Sequence, residues 1–167
     1  GMHADRDEKM IKTIREALGP DIQIMVDVGR FVNLTSAQAI KLAKRLEKYD
    51  IFWLEEPLPP EDVSGYKMLS DAVDVYIAAG ESEYNLHGFK EYITNKAVDI
   101  VQPDVTKAGG LTIARKIVDL CENWNIMLVP HGFSTVVNVA ANLQLIASMP
   151  RAFILEYRRT PSPLISR

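Results

Sequence analysis

Six short apolar runs recur along the chain, and each of them closes on an ionisable side chain. The runs are Ile22–Asp27, Ile51–Glu55, Val75–Glu81, Asp99–Asp104, Ile126–His131 and Phe153–Glu156. Their length and their β-branched and aromatic members predict buried strands. The closing groups lie about 23–28 residues apart, roughly the length of one strand, one helix and two loops. A single acid at a strand end is ordinary, but a repeated series of such groups indicates a site.

Amphipathic helices are predicted between these strands. The first covers residues 4–18, with Met10 and Ile11 on its apolar face, and Gly19-Pro20 ends it. Further helices are predicted from a Ser36 cap to Tyr49, near Val63–Ala72, over Leu86–Thr94, over Leu111–Asn123 after Gly109-Gly110, and over Thr135–Met149 with Ser134 as its cap. Strict alternation of strand and helix predicts parallel strands joined by right-handed crossovers.

Two architectures use this alternation, the open doubly wound sheet and the closed eight-stranded barrel. In a doubly wound sheet, ligands gather at a switch point between a few strands, whereas here every predicted strand ends in a candidate ligand. That pattern favours a barrel, because all barrel strands point to one mouth. A complete barrel usually needs about 250 residues. The 167 residues of this chain therefore predict an α/β fold that is a partial (β/α)8 TIM barrel, with about six βα units.

The composition is that of a soluble globular protein, with 47% hydrophobic residues, 25% charged residues and a net charge of -3. Mild acidity provides no field for nucleic acid, and no apolar run is long enough to span a membrane, so neither is an expected partner. Cys121 lies on the apolar side of a predicted helix and is expected to be a core thiol. One cysteine and no signal-peptide pattern favour a reducing cytoplasm.

The stretch Ile51-Phe-Trp-Leu-Glu-Glu-Pro-Leu58 suggests the chemistry. Glu55 and Glu56 emerge where a buried strand ends, and carboxylates removed from water cost free energy unless a cation or hydrogen-bond donors pair with them. A hard metal ion is one candidate partner. The alternative is that the strand-end acids cap helices or form salt bridges with Lys and Arg.

Four motifs then carry a resemblance to a known family. They are Trp53-Leu-Glu-Glu-Pro57, Ala78-Ala-Gly-Glu81, Pro103-Asp-x-x-Lys-x-Gly-Gly110 and Pro130-His131. In this order they resemble the enolase superfamily and, within it, the mandelate racemase subgroup, from Met25 to Tyr157. The resemblance implies that residues 1–167 are a single C-terminal barrel-domain fragment. An N-terminal capping domain and the first barrel strands, one of which usually carries a Lys-x-Lys pair, would then lie outside it.

The resemblance implies a divalent metal, usually magnesium, held by Asp27, Glu55 and Glu81 on three consecutive strands. Mg²⁺ prefers oxygen ligands in an octahedron and retains waters, which leaves positions open for a substrate carboxylate. The bound ion would then stabilise the enolate formed when the neighbouring proton is removed. Glu56 is not assigned as a ligand. The family often has Ala-Asn after the first acid, where this chain has Val28-Gly29-Arg30, so Arg30 is expected in that region.

The expected base is His131, with Asp104 at the matched position of the preceding strand to orient the imidazole and raise its basicity. Muconate-lactonizing and dipeptide-epimerase relatives have a lysine base where this chain has Asp104, so the chain resembles the His-Asp type. Lys107 is expected in a structural ion pair. Glu156 resembles the family's acid that hydrogen-bonds the substrate carboxylate, which makes it both a catalytic and a substrate-binding candidate. His3 and His87 fit no motif and are expected to be exposed.

The resemblance, together with these residues, implies that the parent enzyme removes the proton alpha to a metal-bound carboxylate, and an acid-sugar dehydratase is the expected activity. A racemase or epimerase of a 2-hydroxy acid is the alternative, and a non-catalytic barrel fragment is a third possibility. The expected partner is a small carboxylic acid, a sugar acid or a 2-hydroxy acid. Six parallel strands would leave two unpaired edges, so the chain is also expected to form homo-oligomers and to be inactive alone.

Overall fold

The computed structural model describes residues 3–29, 32, 34–133 and 135–158. Helices and strands alternate along these residues, as predicted. In chain order they are α1 (Ala4–Leu18), β1 (Ile24–Asp27), α2 (Ser36–Leu46), a 3-10 turn (Glu47–Tyr49), β2 (Ile51–Glu55), α3 (Val63–Ser70), β3 (Tyr76–Ala79), α4 (Leu86–Thr94), β4 (Ile100–Val101), α5 (Gly110–Trp124), β5 (Met127–Leu128) and α6 (Val136–Ala147). Within the described residues, no helix is both long and apolar enough to cross a membrane.

These elements fall into two compact units. The first comprises the described residues of Gly1–Ala79 with Ala97–Asp99, and the second those of Gly80–Lys96 with Ile100–Arg167. The first unit therefore contains α1 to α3 and β1 to β3. The second contains α4 to α6 with β4 and β5.

In the first unit, β1 pairs with β2 and β2 with β3, both in parallel. The register places Asp27 beside Glu55 and Glu55 beside Ala78. Helices α2 and α3 and strands β2 and β3 share an apolar core, because their inward side chains are completely buried. The core side chains include Leu46, Leu54, Tyr66, Leu69 and Ile77.

In the second unit, β4 and β5 are parallel, with Ile100 beside Met127 and Val101 beside Leu128. The ladder continues past the strand ends, because His131 N–H donates to the Pro103 carbonyl over 3.1 Å. Pairing at this point brings the two chain segments that follow β4 and β5 together.

Gly80 is the third residue of the motif Ala78-Ala-Gly-Glu81, and the structure leaves no room for a side chain there. Its φ is +134°, and a Cβ atom there would lie 3.0 Å from the backbone nitrogen of Gln102. Both the backbone conformation and the close approach favour glycine. The turn leads the chain from β3 into Glu81.

The structure corrects the predicted sixth strand. Phe153–Glu156 is described, but it forms no strand. An apolar run needs a backbone ladder to become a strand, and here the neighbouring Gly132 N–H donates to the side chain of Glu156 instead of to a carbonyl. The described residues therefore contain five strands.

Helix caps are also corrected. Thr35, not Ser36, caps α2, because its hydroxyl accepts from Gln38 N–H while the Gln38 side chain accepts from Thr35 N–H in a capping box. Thr135 caps α6 by accepting from Asn138 N–H. The predicted cap Ser134 lies outside the described residues, as does Arg30. Cys121 is buried on α5, as predicted, and burial raises the pKa of its thiol to about 12.

Candidate active site

His131 and Asp104 are in direct contact. The Nδ1 atom of His131 lies 2.9 Å from Oδ2 of Asp104. Each side chain follows the end of its strand, β5 or β4, and the parallel pairing of these strands brings the two together. Asp104 is fully buried and His131 is 6% exposed. The predicted proximity of these two residues is confirmed.

The second oxygen of Asp104 is held by three donors. Oδ1 accepts from Thr106 N–H at 2.8 Å, from the Thr106 hydroxyl at 2.5 Å and from Asn138 Nδ2 at 2.9 Å. Burial alone would raise the pKa of Asp104, but the hydrogen bonds from His131 and Thr106 outweigh it and lower this pKa to about 2. Asp104 is therefore a fixed carboxylate that accepts at both oxygens.

The other imidazole nitrogen faces Glu81, since His131 Nε2 lies 2.8 Å from Glu81 Oε2. Burial lowers the pKa of His131, but the hydrogen bonds with Asp104 and Glu81 outweigh it and raise this pKa to about 10. The side chain of Lys107 also reaches this point. Its Nζ donates to the Glu81 carbonyl over 3.3 Å and lies 4.0 Å from Asp104 Oδ2, in line with the ion pair expected for Lys107.

Glu156 reaches the same side of the imidazole from the segment after α6. Its Oε2 accepts from Gly132 N–H at 2.6 Å and lies 4.0 Å from His131 Nε2. A Cβ atom on Gly132 would lie 2.3 Å from the Glu156 carbonyl oxygen, so only glycine permits this approach. The Glu156 side chain is 39% exposed, which leaves its carboxylate accessible to a bound molecule.

The three proposed metal ligands are divided between the two units. Asp27 and Glu55 are register partners on the parallel strands β1 and β2, and the backbones of paired strands lie about 4.8 Å apart. Asp27 accepts from Gly29 N–H at 2.7 Å, and Glu55 accepts from the Trp53 indole at 3.0 Å. Glu81 belongs to the second unit. No group of three or more His, Cys, Asp or Glu side chains forms a metal cluster within the described parts of the chain.

The donor set nevertheless fits a hard divalent cation. Asp27 and Glu55 offer neighbouring carboxylate oxygens, the ligand type that Mg²⁺ prefers. Glu55 is 8% exposed, and burial of a carboxylate costs free energy that a bound cation would offset. Convergence of Asp27, Glu55 and Glu81 on one ion stays a prediction.

Two histidines lie away from this site, as expected. His3 is exposed, and the His87 side chain is 81% exposed and only 3.9 Å from Glu91 on the same helix. Sequence reasoning missed Thr106, Asn138 and Asn142. The two asparagines stand one helical turn apart in the apolar sequence Val136–Ala147, and that exception to the pattern was the available signal.

The sequence and the fold of this chain are similar to those of known proteins. Residues 1–166 match the family described as enolase C-terminal domain-like. D-galactarolactone cycloisomerase of Agrobacterium fabrum is 33% identical over 98% of this chain, and D-xylonate dehydratase of Haloferax volcanii is 33% identical over 92%. The crystal structure of 3,6-anhydro-D-galactonate cycloisomerase from Zobellia galactanivorans superposes with a TM-score of 0.91 at 40% identity, over 96% of this chain.

The chain belongs to the enolase C-terminal domain-like family, and its resemblance to the enolase superfamily and the mandelate racemase subgroup is confirmed. Its fold is the α/β fold of the TIM-barrel domain of these proteins. The chain covers 45% of the Agrobacterium cycloisomerase, 37% of the Haloferax dehydratase and 45% of the Zobellia structure. It thus spans less than half the length of these relatives.

Proposed function

We propose that this chain is the C-terminal barrel part of a longer acid-sugar dehydratase, with the capping domain and first barrel strands outside residues 1–167. The observation that carries the proposal is the contact between His131 and Asp104, with Glu81 and Glu156 beside the second imidazole nitrogen. The chain's coverage of under half of the relatives supports its place within a longer enzyme.

His131 exchanges a proton with the substrate in this proposal. Asp104 accepts from Nδ1–H, which orients the ring and leaves Nε2 to take or give the proton. Glu156 hydrogen-bonds the substrate carboxylate from the accessible side. A magnesium ion held by Asp27, Glu55 and Glu81 would supply positive charge to the substrate carboxylate and to the negative charge that develops beside it.

Dehydration of a sugar acid would begin at the carbon next to the carboxylate. A base removes the proton at the carbon alpha to the carboxylate, and the electron pair expels the hydroxyl group on the next carbon. That hydroxyl takes a proton and leaves as water, and the enol that remains tautomerises to a 2-keto acid. With its pKa raised to about 10, His131 carries a proton near neutral pH, which suits it as the acid that protonates the leaving hydroxyl. It serves as the base for the first proton once it has given up its own proton.

Cycloisomerisation is a second candidate, because two of the similar proteins carry that name. The same proton removal would then expel an oxygen that belongs to a ring of the substrate. The ring opens and no water is lost, so the product is an isomer of the substrate. Racemisation or epimerisation of a 2-hydroxy acid would share the first step and return the proton to the opposite face.

A screen of sugar acids and sugar lactones distinguishes these reactions. The longest available protein that contains this chain is incubated with each acid and Mg²⁺, and the products are analysed by mass spectrometry and NMR. We expect a 2-keto acid that has lost one water. A product of unchanged mass with an opened ring would favour the cycloisomerase, and inversion at the alpha carbon would favour the epimerase. No conversion of any acid would contradict the proposal.

A further inference from the structure

Helix α6 carries two side-chain amides into the protein interior. Asn138 and Asn142 stand one turn apart, and both are completely buried. Their helix is otherwise apolar apart from Gln144, which is exposed. A buried amide costs free energy unless it forms hydrogen bonds, so the partners of these two residues are informative.

The two amides connect to both members of the His131–Asp104 pair. Asn138 Nδ2 donates to Asp104 Oδ1 over 2.9 Å, and Asn142 Nδ2 donates to the His131 backbone carbonyl over 2.8 Å. Asn142 Nδ2 also donates to Asn138 Oδ1 over 3.2 Å. With the contact between His131 Nδ1 and Asp104 Oδ2, these bonds close a ring of four residues.

The chemistry of the four residues fixes which group donates and which accepts in every hydrogen bond of this ring. A carboxylate and a backbone carbonyl only accept, so the asparagine pair must donate at both ends. Asn138 therefore turns its NH₂ group to Asp104, and its carbonyl oxygen is left to accept from Asn142. Asn142 uses both of its N–H groups, and its own Oδ1 is buried without a hydrogen-bond partner in the described structure. An aspartate at either position could not form the same ring.

We propose that Asn138 and Asn142 are positioning residues that hold His131 and Asp104 in one fixed orientation. Asn138 restrains the carboxylate from the side opposite to the imidazole, and Asn142 restrains the backbone of His131. Thr106 holds the same carboxylate oxygen from the adjacent loop. Asn138 connects this carboxylate to a second element, helix α6. The proposal rests on the proposed function for its catalytic meaning, but the geometry that it asserts can be measured without any substrate.

The test uses the chain of 167 residues labelled with ¹⁵N at histidine. His131 is one of three histidines, and the exposed His3 and His87 serve as internal references. We expect a protected proton on His131 Nδ1 in the unmodified chain. In N138L or N142L, loss of a hydrogen bond in the ring should speed exchange of this proton with water about tenfold.

Two control variants separate orientation from general stability. L145A truncates a buried side chain of the same helix, 2% exposed, that carries no hydrogen-bonding group and so is not a member of the four-residue ring. It should lower the melting temperature while leaving the His131 Nδ1 proton protected. Q144L makes an amide-to-apolar change on the exposed face and should change neither quantity.

The shorter variants N138S and N142S keep a polar group in the helix but are too short to form the ring, and they serve if a leucine variant does not fold. Folded N138S or N142S should show the same faster exchange. Unchanged protection of the His131 proton in folded variants would overturn the proposal. Equal loss of protection in L145A would also overturn it, because the asparagines would then act only through stability. Failure of the dehydratase assay would leave this result unaffected.

Discussion

At the scale of single residues, the imidazole of His131 has a different partner on each nitrogen. Nδ1 contacts Asp104, which is fully buried, whereas Nε2 faces Glu81 and Glu156, which are partly accessible. Burial therefore assigns the two sides: the Asp104 side orients the ring, and the opposite side can meet a substrate. The motif around Pro130-His131 and the aspartate after β4 were sufficient to predict this pair, because parallel neighbouring strands end at the same edge.

The asparagines could not be predicted in the same way. A polar residue on a helix is usually assigned to the solvent face, and only the fold shows that Asn138 and Asn142 face inward. The partners of Glu81 were also beyond the sequence. Its motif indicates a metal ligand, but its contact with His131 depends on where the chain turns after Gly80.

Replacement of Asp104 by asparagine tests the orienting role. In D104N the amide has one oxygen in place of two, so it cannot accept from Thr106 and Asn138 on one side and from His131 Nδ1 on the other, and it no longer fixes a proton on that nitrogen. We expect kcat of the longer enzyme to fall about 10²–10⁴-fold, with a smaller change in KM. Steady-state kinetics with the sugar acid identified in the screen measures this change. A D104N enzyme with kcat close to that of the unmodified protein would contradict the role.

At the scale of elements, Glu8 of helix α1 forms ion pairs and hydrogen bonds with α2 and with the 3-10 turn that follows it. Arg45 Nε donates to Glu8 Oε2 over 2.7 Å, the Lys48 ammonium lies 2.5 Å from Oε1, and the Tyr49 hydroxyl donates to Oε1 over 3.1 Å. Arg45 also contacts the exposed Asp5. Hydrogen bonds from Lys48 and Arg45 lower the pKa of Glu8 from 4.5 to about 2.

This charge cluster predicts a pH dependence of stability. Because the pKa of Glu8 is lower in the folded chain, its stabilising contribution is complete above pH 4.5 and is lost as the pH falls towards 2. E8Q should therefore lower the melting temperature at pH 7, and the difference from the unmodified chain should shrink below pH 4.5. Thermal unfolding followed by circular dichroism measures both effects.

The matched control is E16Q. Glu16 also lies on α1, but it is 65% exposed and 3.7 Å from Lys12, so its ion pair is largely screened by water. E16Q should change the melting temperature much less than E8Q at pH 7. Equal changes in melting temperature for the two variants would show that the contacts of Glu8 do not stabilise the packing of α1 against α2. A change for E8Q that does not depend on pH would show the same.

Element order was predictable because strands and helices differ in hydrophobic period. Helix α4 even has the predicted bounds, since Asn85 and the turn after Thr94 limit it clearly. Phe153–Glu156 has a strand-like composition but no ladder, and pairing depends on neighbours that a local pattern does not reveal. Thr35 and Ser36 are both good caps, and the capping-box partner Gln38, three residues after Thr35, distinguishes them.

At the scale of the whole molecule, the chain should associate with itself and should be catalytically inactive alone. Met25 and Tyr76, on strands of the first unit, are 38% and 45% exposed, and exposed apolar side chains on strands favour association. The chain spans less than half the length of its relatives, and we expect the rest of the longer enzyme to supply cations and exclude water from the site. A cytoplasmic location stays a prediction.

Light scattering over a range of concentrations measures the first property, and a Mg²⁺-dependent dehydration assay on the same sample measures the second. We expect a mass above that of one chain and no turnover. A stable monomer at high concentration would refute the association. Turnover comparable to that of a complete relative would refute the prediction of inactivity.

We expect His131 of the longer enzyme to transfer a proton during loss of water from a sugar acid. The most direct measurement compares 2-keto acid formation by the longer enzyme and its H131N variant, at equal Mg²⁺ and with folding verified by circular dichroism. H131N should be slower by at least about 10²-fold, because asparagine cannot exchange a proton at neutral pH. An H131N enzyme that forms the keto acid within a few-fold of the unmodified rate would contradict it.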